Sequence, residues 1–84
     1  MKYCYITFRS VTFAQRGERL MADAGIRCWL RRTPKWMESQ GCGYSLRIRG
    51  EDVQSALWLL RDRGIPMRKV YAENGEGALE EITV

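Results

Sequence analysis

Cys42 lies between two glycines, Gly41-Cys42-Gly43, just ahead of the strand-like run Tyr44-Ser45-Leu46-Arg47-Ile48-Arg49. Glycine has no Cβ, so the thiol is left uncrowded and the flanking backbone can turn freely. A reactive or cargo-carrying sulfur needs that access. The same glycines also suit a plain loop in which the cysteine has no task, and local sequence leaves both readings open. Histidine is absent from the chain. That removes the usual general base, the usual metal ligand and the Cys-His arrangement of thiol proteases. Any chemistry at a thiol must then draw on a helix field, a basic side chain or a partner enzyme. No acid and base can be paired, so stand-alone catalysis is not expected, nor is a cofactor.

The chain has three cysteines, an odd number with no C-x-x-C pair, which is neither a disulfide framework nor zinc-ligand spacing. Its 84 residues suffice for one domain with its own core. The longest apolar runs, such as Ala56-Leu57-Trp58-Leu59-Leu60, are too short to span a membrane. Met1-Lys2-Tyr3-Cys4-Tyr5 enters a strand pattern with no signal-peptide core before it. A cytoplasmic protein with reduced thiols is expected. The net charge is +4, and arginine dominates it, with only Lys2, Lys35 and Lys69 as lysines. Arg27 to Lys35 is strongly basic and Glu73 to Glu81 acidic. Such a balance fits an acidic partner or weak nucleic-acid affinity and specifies neither.

The elements that would position Cys42 come from one plan used twice. Tyr3 to Phe8 is rich in aromatic and β-branched residues and reads as a strand. Ser10 is a good N-cap for a helix near Thr12 to Ala24, whose apolar residues recur at helical spacing. Gly25 stops it, and Ile26 to Leu30 alternates as a second strand. Tyr44 to Arg49, a helix near Glu51 to Arg63, Gly64, and Ile65 to Tyr71 repeat the plan. The two glycine stops are 39 residues apart, and the strand-to-helix joints Ser10 and Gly50 are 40 apart. Two such halves predict an α+β fold, a ferredoxin-like βαββαβ sandwich. Its four-stranded antiparallel sheet has strand order 4-1-3-2 and carries both helices on one face. The domain is expected over 1–73, with 74–84 as an acidic C-terminal tail.

In this topology Cys4 and Cys28 become small core residues with strand 3 between them. Their separation is about twice the ~4.8 Å strand spacing, too far for a disulfide. Cys42, at the entry of strand 3, approaches the exit of strand 1 at Arg9-Ser10 and the start of the first helix. Unpaired N–H groups and the helix dipole would favour a thiolate there. Arg9 and Lys35 could add positive charge, and Thr7, Ser10 and Thr12 could offer hydroxyls. The loop from Thr33 to Gln40 is long for a hairpin. Its Trp36 and Met37 suit a cover for the thiol, a docking contact or simple packing on the core.

Tyr5-Ile6-Thr7-Phe8-Arg9-Ser10, Ala14, Glu18, Ala24-Gly25-Ile26, Thr33-Pro34, Cys42-Gly43 and Leu46-Arg47 together resemble the selenium/sulfur carrier-like family, a group of short bacterial proteins. The similarity runs to about Tyr71, and Cys42-Gly43 is its most specific element. The resemblance implies that Cys42 carries sulfur or selenium as a persulfide or its selenium analogue. It also implies a delivering enzyme of the cysteine desulfurase or selenocysteine lyase class. The Trp-rich segments and the tail after Glu73 depart from the family pattern.

A different reading rests on the open sheet face. Tyr3, Tyr5, Thr7, Arg9, Arg27, Trp29, Arg31, Ser45, Arg47 and Arg49, with Lys69 and Tyr71, would interleave aromatics and arginines. RNA-recognition sheets do this. However, strand 3 has Arg47 and Arg49 where stacking rings are required. Self-association as a homodimer through this face is the preferred alternative to RNA binding.

Overall fold

The computed structural model describes residues 2–33, 43–76 and 78–82. The expectations for Lys35, Trp36, Met37 and Cys42 therefore lie outside the described residues. The described chain runs β1 (Tyr3–Phe8), α1 (Val11–Asp23), β2 (Cys28–Arg32), β3 (Tyr44–Arg49), a single 3-10 turn (Gly50–Asp52), α2 (Val53–Asp62), β4 (Val70–Glu73) and β5 (Leu79–Ile82). All strand pairings are antiparallel, in the order β2-β3-β1-β4-β5.

Four of these strands follow the expected order, and the sheet exceeds the four-stranded expectation by one strand. Leu79-Glu80-Glu81-Ile82 does not alternate as a half-buried strand should, and its carboxylates read as tail. The preceding turn makes it a strand. Asn74 Oδ1 accepts the N–H groups of Glu76 at 2.8 Å and Ala78 at 3.1 Å, while the Asn74 N–H donates to the Ala78 carbonyl at 2.8 Å. This side-chain-built turn reverses the chain onto the edge of β4. Ile82 then packs against the core.

Both helices end in the same device. Gly25 (φ 76°) and Gly64 (φ 67°) take the left-handed conformation that side chains resist. The Ile26 N–H bonds the Met21 carbonyl at 2.8 Å, and the Ile65 N–H bonds that of Leu60 at 2.9 Å. Gly25 and Gly64 close on Ala22 and Arg61, completing Schellman caps. The caps explain two shifts from expectation. The N–H of Ile26 is spent on the helix end, so β2 opens at Cys28. Ile65 is spent likewise, and β4 is assigned from Val70, although Arg68 N–H to Thr7 carbonyl (2.8 Å) already ties the approach to β1.

Alternation along the strands builds one core. Cys4, Ile6 and Phe8 of β1, Leu46 and Ile48 of β3 and Val70 of β4 join Ala14 and Met21 of α1 and Val53, Ala56, Leu57 and Leu60 of α2. Both helices bury their apolar sides in this cluster. Gly17 lets α1 approach closely, since a Cβ there would lie 3.2 Å from Leu46 and 3.3 Å from Leu60 and Phe8. Cys4 and Cys28 both stand opposite Ile48, with β3 between them, and both are free. Among the described residues no helix is long and apolar enough to cross a membrane.

Candidate functional site

The residues that root the 34–42 segment are held at one end of the sheet. Tyr44, the first residue of β3, is paired with Phe8, the last of β1, and with Arg32, the last of β2. One step further out, the Thr33 N–H donates to the Gly43 carbonyl at 2.9 Å, and Gly43 is buried. The residue bonded to Cys42 is thus fixed beside the strand that leads through Arg9 into α1.

Ser10 caps that helix as expected. Its backbone is extended (φ −134°, ψ 158°), and its Oγ accepts the Phe13 N–H at 3.3 Å. The first turn of α1 carries no acidic residue, so its partial positive charge is not offset there. Arg9 is exposed at the same corner, and Thr12 is exposed one turn on. Thr7 is differently engaged. Its hydroxyl accepts the Lys69 N–H at 2.9 Å and donates to the Lys69 carbonyl at 3.2 Å, pinning the approach of β4. The structure therefore brings Arg9, Ser10 and Gly43 to one corner and commits the Thr7 hydroxyl to the backbone.

Sequence reasoning named the Thr7 hydroxyl here and set Ser45 on the same face, but missed that both are buried together with Thr33. Among the described residues the buried polar ones are Thr7, Thr33 and Ser45, each 2 to 4% exposed. Ser45 is paired with Thr7, and Thr33 stands beside Gly43. By strand alternation all three lie on the face away from the helices, at the end where segment 34–42 leaves. Thr33 Oγ1 has no hydrogen-bond partner among the described residues. A buried hydroxyl left unpaired costs about 1–3 kcal/mol, which marks it for notice. The usable signal was Thr33-Pro34 itself, since proline supplies no N–H to its neighbour.

The two described thiols are poor nucleophiles. Burial, with some help from the Glu73 carboxylate, raises Cys4 above its ordinary value. Burial first and the Glu18 carboxylate second push Cys28 up to about 11. The thiolate is the reactive form, and at neutral pH both residues hold the neutral one. A surface depression of about 660 Å³ lies by Ala24, Asp52 and Trp58 at the far end of α1, and no cysteine is among its described lining residues.

The open face is not bare aromatic surface. The Arg47 guanidinium stands 4.5 Å from the Tyr3 ring centroid and 4.8 Å from that of Trp29, and the two rings meet edge to face at 5.9 Å. Cation–π contact thus engages the Tyr3 and Trp29 rings, two of the aromatics on this face.

An antiparallel α+β sandwich with a glycine-flanked cysteine leading into its third strand is the class the fold and sequence define. Residues 3–72 match the family described as "Putative Se/S carrier protein-like", and the chain belongs to that family. The fifth strand lies beyond the matched span. Neither curated proteins nor solved structures gave a match to the chain.

Proposed function

We propose that this protein carries sulfur or selenium on Cys42 between partner enzymes. One observation supports the choice of residue: burial raises Cys4 and Cys28 above a free thiol, which makes them the weaker nucleophiles and favours Cys42 of the three. The family match supports the class of cargo. Gly43 fixes the root of the carrying residue, Ser10 and the start of α1 supply N–H dipoles, and Arg9 supplies charge. Thr7 holds β1 and β4 together beneath them.

The loading step is a sulfane transfer. The Cys42 thiolate attacks the outer sulfur of a persulfide on a donor of the cysteine desulfurase class. A new S–S bond forms to Cys42, the donor's S–S bond breaks, and the donor cysteine leaves as thiolate with its electron pair. The outer sulfur keeps its proton, and nothing is oxidised or reduced overall. A selenocysteine lyase would deliver selenium to the same thiol. The chain needs no catalysis of its own, and a cytoplasmic setting keeps the thiol reduced.

The test is alkylation rate against pH for wild type and Cys42→Ser, with Cys4→Ala and Cys28→Ala as controls. Labelling at neutral pH should follow Cys42 alone, with a midpoint below the ~8.5 of a free thiol. Mass spectrometry after incubation with a persulfide donor should then find one added sulfur on Cys42. Labelling that follows Cys4 or Cys28, or a sulfur-free Cys42, would end the proposal.

A further inference from the structure

The open sheet face is self-complementary, and we infer that it is covered by a second copy of this chain about a two-fold axis running parallel to β1 through Tyr5. Strand register makes the case. One row across the sheet reads Trp29, Arg47, Tyr5, Tyr71, Glu81 from β2 to β5. The next reads Arg49, Tyr3, Glu73, Leu79, with the Tyr3 N–H donating to the Glu73 carboxylate at 2.9 Å. Each row has an arginine on β3, a tyrosine on β1 and one carboxylate on the far side, Glu81 on β5 in the first and Glu73 on β4 in the second. Among the described residues of this face, Lys69 is the cation on the acidic side, and it lies 3.7 Å from Glu81. On the basic side, Arg49 also leans on Asp52 at 3.1 Å and Glu51 at 3.8 Å, on the rim.

Sheets that pack face to face keep their strands within about 30° of one another, so rows stay near register at the centre. An axis parallel to β1 reverses the strand order of the second copy and keeps the rows level. Tyr5 then meets the second copy's Tyr5, Arg47 meets its Tyr71, Arg49 its Glu73 and Trp29 its Glu81. A two-fold axis across the strands would instead set β3 on β3 and oppose Arg47 to Arg47, which like-charge repulsion disfavours. A two-fold dimer is also the commonest closed assembly. The inference stands independently of the thiol.

Light scattering at micromolar concentration should give twice the mass of one chain, with dissociation favoured by added salt. Arg49→Glu and Glu73→Arg should each be monomeric alone, because each sets like charges against one another. Mixed, they should form a heterodimer, and the double variant should recover the homodimer. Circular dichroism checks that each variant is folded; should Glu73→Arg fail to fold, the wild-type mass and Arg49→Glu still decide. A monomeric wild type at low salt would overturn the inference, as would a dimer indifferent to Arg49→Glu. A monomer that binds a single-stranded polyuridine oligonucleotide with steep salt dependence would assign the face to nucleic acid instead.

Discussion

Cys28 shows how position alone sets the chemistry of a side chain. It lies on the core side of an edge strand, where burial and the Glu18 carboxylate raise it to about 11. An unfolded thiol ionises near ~8.5, so the folded chain binds the extra proton between the two values. The contribution to stability is complete below the lower value and is lost as pH climbs toward the upper one. Urea midpoints should therefore fall between about pH 8.5 and about pH 11, and Cys28→Ala should make that fall shallower. Cys4, raised by burial and Glu73, acts in the same direction. An unchanged slope in Cys28→Ala would show that the thiol ionises freely in the folded protein.

At the scale of elements, β5 is the addition with the clearest consequence. It covers the edge of β4 and brings Ile82 onto the core, while Lys69–Glu81 is an exposed pair of little worth. Deleting 78–84 should cost about 2 kcal/mol, mainly from the apolar contact. It should also speed hydrogen exchange of the β4 amides that face β5. Exchange unchanged from wild type would mean that β5 does not pair in solution. This strand was also the least legible element. Glu80 and Glu81 hide its alternation, and the Asn74 side chain that builds the turn is invisible to a pattern of apolar residues. The two helices were legible because Ser10, Gly25 and Gly64 act locally, through one cap and two left-handed stops. The starts of β2 and β4 were misjudged because Ile26 and Ile65 serve the helix caps before any strand can use them. Of the site, Cys42-Gly43 and the Ser10 cap were readable, being local. The pairing of Thr33 with Gly43, and the burial of Thr7, Ser45 and Thr33 together, depend on strands distant in sequence.

For the whole molecule the decisive feature is that β1 occupies the middle of the sheet, between β3 and β4. Its register reaches Arg49 on one side and Ala72 on the other, and Tyr3 bonds the side chain of Glu73. A fragment of residues 1–50 keeps β1, α1, β2 and β3 but loses α2, whose Val53, Ala56, Leu57 and Leu60 close the core. It should show little structure by circular dichroism, and a cooperative melt from such a fragment would contradict this account. Translation gives the same arrangement a direction. The ribosome delivers the central strand first and its last flanking strand many residues later, so one edge of β1 stays open throughout synthesis of the intervening chain. Apolar Ile6 and Phe8 are then exposed in a nascent polypeptide, which makes that interval the period when chaperones and aggregation compete for this protein.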